Sequence, residues 1–300
     1  MLKGTIFIVF TTLLLYISKV LVYNPPSVHS YYLRGVIALK KLLIVLVVFF
    51  ILAGCAPASE QTGDDSLDAL LERGVFRIGF TDYPPFGMIN MGEASGFDID
   101  MAREVAKRLG VDFETKYIDW DSKQFELDSG NVDAIWNGFT ITPKRAEEVT
   151  FTKPYFDNHI VMMSLKGNTF KSLEDLKGKL VGVELQSSGQ IALEEMEDIY
   201  SSIAEMLKYT SVSEALMALK SGGIDVIVVD ENFARYVTSQ EKELYEISSA
   251  RFNPENYGVG LKKGSLALAN KIDEIIDAMI EEGVAGEISE KWFGEDLISR

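Results

Sequence analysis

One thiol, two imidazoles and a handful of spaced carboxylate, guanidinium and hydroxyl groups are what this 300-residue chain offers for chemistry. Cys55 is the sole cysteine, so no disulfide closes within the chain and no thiolate zinc site can be built. His29 and His159 are too few for a histidine-rich metal site. No nucleophile–base pair stands out, and no Gly-x4-Gly-Lys-Ser/Thr phosphate loop is present. We therefore expect no metal, no cofactor and no catalysis. What remains lies at the ends of apolar segments. Arg145 closes Thr142-Pro143-Lys144-Arg145, Asp230 follows the apolar run 224–229, and Ser187 and Ser188 precede a helix expected at Gln190. A guanidinium is a planar, two-pronged donor for a carboxylate. Serines ahead of a helix offer a hydroxyl and free N–H groups, which also suit a carboxylate. Taken singly, each has a plainer reading: a solvated arginine, an aspartate N-cap and a serine cap.

The elements that must position these groups follow a βα rhythm. Residues 75–79 read as a strand. Residues 97–109 read as a helix with Ile99, Ala102, Val105, Ala106 and Leu109 on one face. Asp98 and Asp100 complement the positive end of its dipole, and Gly110 ends it. Residues 113–118 read as a strand, a polar helix runs to Ser129-Gly130, and 132–136 read as a strand. The rhythm then repeats: strand 180–183, helix from Gln190 to Met196, helix 214–220 capped by Ser213, and an apolar strand 224–229 of the kind buried on both faces. Residues 265–292 read as mostly helical, interrupted at Gly283 and Gly286. Two such halves predict an α/β architecture of two lobes, with a cleft at the strand ends.

The first 54 residues are different. They hold five basic and no acidic side chains, which leaves 24 basic against all 45 acidic residues beyond them, a net of −21. A body so acidic repels nucleic acid and resists self-association, so a monomer with no nucleic-acid partner is expected. Lys40-Lys41, an apolar run 42–51 and Leu52-Ala53-Gly54-Cys55 form a secretory signal. The run is shorter than the ~20 residues a spanning helix needs. Leu-Ala-Gly-Cys resembles a bacterial lipobox, which implies that Cys55 is acylated and becomes the mature N-terminus. Acyl chains anchor at ~0.8 kcal/mol per buried methylene, so two or more hold stably. Residues 55–72 then read as lipidated cysteine and flexible tether. Residues 1–38 contain a second apolar stretch, 6–22, which reads either as a transmembrane helix or, as we prefer, as lying upstream of a misplaced start.

From about Gly74 to Trp292 the chain resembles the polar-amino-acid solute-binding proteins, family 3. The resemblance rests on Tyr83-Pro84-Pro85-Phe86, Gly96-Phe97-Asp98-Ile99-Asp100-Met101, Thr140-Ile141-Thr142-Pro143-Lys144-Arg145, Phe151-Thr152-Lys153-Pro154-Tyr155, Leu176-Lys177-Gly178 and Lys291-Trp292-Phe293-Gly294, in that order. It implies a two-lobe periplasmic-binding fold (type II), each lobe a mixed, mostly parallel sheet flanked by helices, joined by a two-strand hinge. Lobe 1 would comprise 73–157 plus 255–300, and lobe 2 residues 158–254. The crossings would fall near 155–161 and 252–258. The implied ligand is a free amino acid. Arg145 would take its carboxylate, assisted by Thr140 and the backbone of Asn137, Gly138 and Thr140, with Ser187 and Ser188 opposite. Asp230 would take its ammonium. Tyr83 and Trp120 match aromatic positions that sandwich the ligand side chain. Asp82 and Glu184 are candidate polar contacts, and if both face the pocket a cationic side chain is favoured. Asn137 stands where many relatives have a smaller residue, which bears on specificity.

The resemblance further implies partners: an ABC permease with a separate ATPase, and membrane lipid through Cys55 at the outer face of the cell membrane. Two rivals stand beside it. One is an enzyme on the same fold, such as a cyclohexadienyl dehydratase-like protein, with Glu184 or Asp82 as a general acid. The other is a sensory binding protein. Such chains run on into a membrane helix, whereas only six residues follow Gly294 here, so no output domain is expected.

Overall fold

The computed structural model describes residues 63–299. Cys55, the signal and the tether up to residue 62 lie outside the described residues. The flexible tether expected to run to residue 72 gives way to a helix from Ser66, one side of which packs Leu70 into the core.

Helix α1 (Ser66–Arg73) leads into β1 (Val75–Phe80), then the hairpin β2 (Met88–Asn90) and β3 (Glu93–Ser95). Helix α2 (Phe97–Leu109) and β4 (Asp112–Tyr117) follow, and a 3-10 turn at Trp120–Ser122 opens α3 (Lys123–Asp128). Next come β5 (Ala134–Ile135), α4 (Pro143–Glu148), β6 (Val149–Phe151) and the long β7 (Phe156–Leu165). The second half holds β8 (Leu180–Glu184), α5 (Ser188–Glu194), α6 (Glu197–Tyr200), β9 (Glu205–Tyr209), α7 (Val212–Lys220), β10 (Val226–Asp230), α8 (Glu231–Gln240) and β11 (Tyr245–Tyr257). Strand β12 (Gly260–Lys262) and helices α9 (Leu266–Glu281) and α10 (Val284–Phe293) complete it.

The strands form two five-stranded sheets, in the orders β4-β1-β5-β12-β6 and β11-β7-β10-β8-β9. In the first, β1 pairs in parallel with β4 and β5, while β12 runs antiparallel. In the second, β8 pairs in parallel with β9 and β10, while β7 runs antiparallel to β10 and β11. The chain therefore leaves the first sheet after β6 and returns to it at β12. The two long strands between, β7 and β11, pair antiparallel, with Phe156 opposite Tyr257 and His159 opposite Pro254.

Where these strands meet the first sheet sits an aromatic knot. The Phe86 ring packs edge-on against Phe156 at 5.3 Å, Tyr257 at 5.2 Å and Phe97 at 6.0 Å, and Phe293 lies 5.7 Å away. All but Phe293 are fully buried. Each such ring removes a large apolar area from water, and edge-to-face geometry suits their quadrupoles.

Several local expectations shift. Helix α7 begins at Val212 and its cap is Ser211, whose hydroxyl accepts the Glu214 N–H; Ser213 lies inside the helix. Strand β5 is only two residues long, and the stretch 224–229 yields a strand that starts at Val226 and runs to Asp230. The polar helix stops at Asp128 and helix α5 starts two residues before Gln190. Gly283, with φ 80°, breaks the C-terminal helices, whereas Gly286 sits within α10.

Gly96 ahead of α2 has φ 143°, and a Cβ there would lie 2.2 Å from the Phe86 carbonyl oxygen. Gly96→Ala should lower stability by about 2–4 kcal/mol, from backbone strain plus overpacking. Urea unfolding followed by circular dichroism checks this; an unchanged midpoint would contradict the account of the knot.

Candidate functional site

The strand ends of both sheets carry the polar groups. From the first half come Thr81 and Tyr83 after β1, Trp120 after β4, Asn137 and Gly138 after β5, and Arg145 in α4. From the second come Glu184 at the end of β8, Ser187 and Ser188 at the start of α5, and Asp230 at the end of β10. These ten residues line one cleft of about 270 Å³ of space not filled by atoms. Ligands of α/β proteins characteristically sit at such strand ends.

Arg145 is 6% exposed. Thr142 caps α4 by accepting the Arg145 N–H, and Pro143 fixes the first turn. The guanidinium lies 4.9 Å over the Phe139 ring. Its Nη1 donates to the Thr140 carbonyl at 3.0 Å and its Nη2 to the Gln186 carbonyl at 2.9 Å, across the cleft. Both partners are neutral, and burial brings its pKa down to about 10.

Asp230 is the counterpart. Its carboxylate accepts the hydroxyls of Tyr83 and Tyr257, and Asn158 Nδ2 at 2.6 Å. It begins α8 without capping it through its side chain, so the plain N-cap reading does not account for its placement. Burial pushes its pKa up, against those donors and the Arg145 charge. Tyr83 thus binds across the cleft, and its ring stacks on Phe233 at 5.0 Å.

Glu184 is buried on the cleft wall and accepts the Val212 N–H at 3.2 Å. Burial, with Asp230 nearby, pushes it up to about 8. Trp120 meets Phe139 edge-on at 5.4 Å. Asn137 Oδ1 accepts both the N–H and the hydroxyl of Thr81, at 2.9 and 3.2 Å. Ser187 accepts the Gln190 N–H, so it caps α5 as well as lining the cleft.

Three expectations change. Asp82 does not line the cleft; its neighbour Thr81 does. The strand ends at Phe80 and the chain turns at Tyr83, so only alternate residues reach inward. Thr140 does not line it either: its hydroxyl donates to Glu255 at 3.1 Å. The Gly138 N–H is taken by Asp98 at 2.7 Å and is not offered to the cleft.

Sequence reasoning missed Glu255, Lys123 and Tyr257. Glu255 also accepts Asn158 Nδ2 at 3.3 Å, and burial, with Asp230 close by, pushes it up to about 7. Lys123 lies on α3, 7% exposed, with Nζ 4.7 Å over the Trp120 ring and donating to the Trp120 carbonyl at 3.0 Å. Burial and then the Arg145 charge bring it down to about 7. Among the described residues no cluster of His, Cys, Asp and Glu is placed to hold a metal ion, and no helix is long and apolar enough to cross a membrane.

A raised carboxylate fixes the sign of a pH effect. Unfolded chains lose the Glu184 proton near the ordinary value of 4.5, while the folded protein keeps it to about 8. The folded state then binds more protons, and stability falls as pH rises across that window. Glu184→Gln should flatten this slope in urea titrations between pH 5 and 8; a slope identical to the parent's would contradict it.

The family model for bacterial extracellular solute-binding proteins, family 3, matches residues 76–295. The chain is 34% identical over 268 residues to the ABC transporter glutamine-binding protein GlnH of Bacillus subtilis, covering 85% of this chain and 96% of that one. It is 32% identical to the L-cystine-binding protein TcyJ of Escherichia coli, over 77% of this chain and 87% of that one. Among solved structures, an ABC uptake transporter substrate-binding protein from Streptococcus pneumoniae with bound histidine matches with a TM-score of 0.76 and 32% identity, covering 80% of this chain and all of that one. An ancestral amino-acid-binding protein, a precursor of cyclohexadienyl dehydratase, matches with a TM-score of 0.70 and 31% identity, covering 76% of this chain and 99% of that one.

Proposed function

This chain belongs to the bacterial extracellular solute-binding proteins of family 3, and we propose that it captures a free L-amino acid with a polar, hydrogen-bond-donating side chain by closing two lobes around it. It serves an amino-acid ABC importer as the substrate-binding component, outside the cytoplasm.

The observation that carries the ligand reading is that Arg145 and Asp230, from opposite halves, line one cleft. A free amino acid is a zwitterion, and burying it costs desolvation at both ends unless each is matched. Arg145 offers the fork for the carboxylate, and its donors hold two neutral carbonyls that an anion can displace. Asp230 takes the ammonium, prearranged by two tyrosine hydroxyls. Ligand contacts available only when shut would favour closure, as a hinge movement about the paired strands β7 and β11. The lobe limits that follow are 73–157 with 255–300, and 158–254.

The side-chain end of the cleft favours a donor. Of the two candidate side-chain contacts Glu184 lines the cleft and Asp82 does not, so besides Asp230 one carboxylate rather than two is available to the guest's side chain. That supports a carboxamide as well as a cationic side chain. Relatives named for glutamine, cystine, arginine and histidine span the same range. Chain composition supports a monomer, and Leu52-Ala53-Gly54-Cys55 supports a lipid anchor at Cys55.

We regard binding without catalysis as the working function. One observation favours a second reading: Glu184 holds its proton near neutrality within the cleft, as a general acid would. Mass spectrometry of cyclohexadienyl acids incubated with the protein separates the two, since an altered product would support the enzyme.

The main test is a thermal-shift screen of the twenty amino acids with cystine and ornithine. A ligand at 100-fold over its dissociation constant should stabilise by ~2.7 kcal/mol. Arg145→Ala should abolish the shift, and a shift that survives the substitution would contradict the site.

A further inference from the structure

Asp98 is the least exposed carboxylate among the described residues, at 0%, yet it does not line the cleft. It sits in the first turn of α2, where a carboxylate suits the dipole. Asp100 already serves there from a more exposed position, pairing with Arg103 and Lys291. Asp98 instead points inward. Oδ2 accepts the Gly138 N–H at 2.7 Å and Oδ1 accepts the Tyr155 hydroxyl at 2.8 Å. No cation contributes to its proton affinity; burial pushes the carboxyl up to about 7 against those two donors and the Trp136 side chain. A buried carboxylate without a counter-charge is costly, far beyond what a helix start requires, so its partners are the informative part.

Gly138 holds φ +59°, a left-handed conformation, within the loop that links β5 to α4. That loop is pinned further on by Gly258 N–H to the Phe139 carbonyl at 3.0 Å and by Ile141 N–H to the Asn256 carbonyl at 2.8 Å. Its next carbonyl, Thr140, is the one that fixes Arg145 Nη1. Tyr155 immediately precedes β7, and its N–H donates to the Tyr257 carbonyl at 3.0 Å. The Asp98 backbone N–H donates to the Phe86 carbonyl, at the end of the turn that presents Tyr83. One side chain and its own backbone thus join the arginine's loop, the tyrosine's turn and the start of a crossing strand.

We propose that Asp98 is the positioning residue of the ligand cleft: by holding Gly138 and Tyr155 together it sets the loop that aims Arg145, and it ties that loop to the strands about which the lobes move. It touches no ligand and acts through its neighbours. The inference rests on the amino-acid-binding reading above. Because it acts on the end common to all amino acids, its loss weakens every ligand by a similar factor and leaves their ranking intact.

The test compares the parent, Asp98→Asn and Tyr155→Phe, each checked for folding by circular dichroism, using the strongest amino acids from the screen as probes. An asparagine presents one acceptor and one donor, so it cannot accept both bonds. In Asp98→Asn the dissociation constants should rise roughly 10–100-fold, equally across ligands, and the Gly138 amide should lose protection from hydrogen exchange. Tyr155→Phe should weaken binding about 3–10-fold while Gly138 stays protected. Dissociation constants within two-fold of the parent in a folded Asp98→Asn would overturn the proposal. If that variant does not fold, constants within two-fold in Tyr155→Phe overturn it. Failure of the parent to bind any amino acid would instead sink the function reading, which keeps the two failures distinct.

Discussion

Water must be replaced at both ends of a dipolar guest before that guest can be enclosed, and this requirement shapes the cleft. A single charged residue would leave one end bare and pay its full desolvation. On the reading proposed above, Arg145 and Asp230, which line the cleft from opposite halves, meet both ends only when the halves approach. The same pair therefore joins affinity to closure: the contacts that hold the guest are also the contacts that hold the halves together.

The rest of the fold serves that geometry. Parallel strands end at the cleft in both sheets, so short polar stretches at those ends face each other. The antiparallel pair β7 and β11 is continuous between the halves, and the Phe86 knot gives its base a rigid seat. Low dielectric around the cleft acts in both directions. It strengthens any charge pair formed inside, and it moves the pKa values of Glu184 and Glu255 up and that of Lys123 down, toward neutrality, against the opposite charges nearby.

Much of this was legible from residue order. Helix α2 follows from its apolar spacing, its dipole-friendly aspartates and Gly110, and its limits match residue for residue. The repeated βα rhythm gives two sheets. Arg145, Asp230, Glu184, Ser187, Ser188, Tyr83, Trp120, Asn137 and Gly138 do reach one cleft. What escaped depends on direction rather than identity. Asp82 and Thr81 differ by one position, and only the turn at Tyr83 decides which faces inward. Glu255 lies on a strand whose register with β7 shifts twice, so alternation carried no usable signal. Lys123 reads as a solvated helix residue until Trp120 folds beneath it. Ser211 and Ser213 are equally good caps in sequence, and packing against β8 and β9 determines where the helix starts. Asp98 was recognised as a helix-start carboxylate, while its two long-range donors come from residues 40 and 57 positions away.

The claim that two opposite charges grip a zwitterion is tested most directly by isothermal titration with chemically blocked forms of whichever amino acid binds. Amidating the carboxyl removes the anion, and acetylating the amine removes the cation, with the side chain untouched. Each change should weaken binding by at least ~100-fold, since it leaves Arg145 or Asp230 buried without its counter-charge. Binding of either blocked form within a few-fold of the free amino acid would contradict the account.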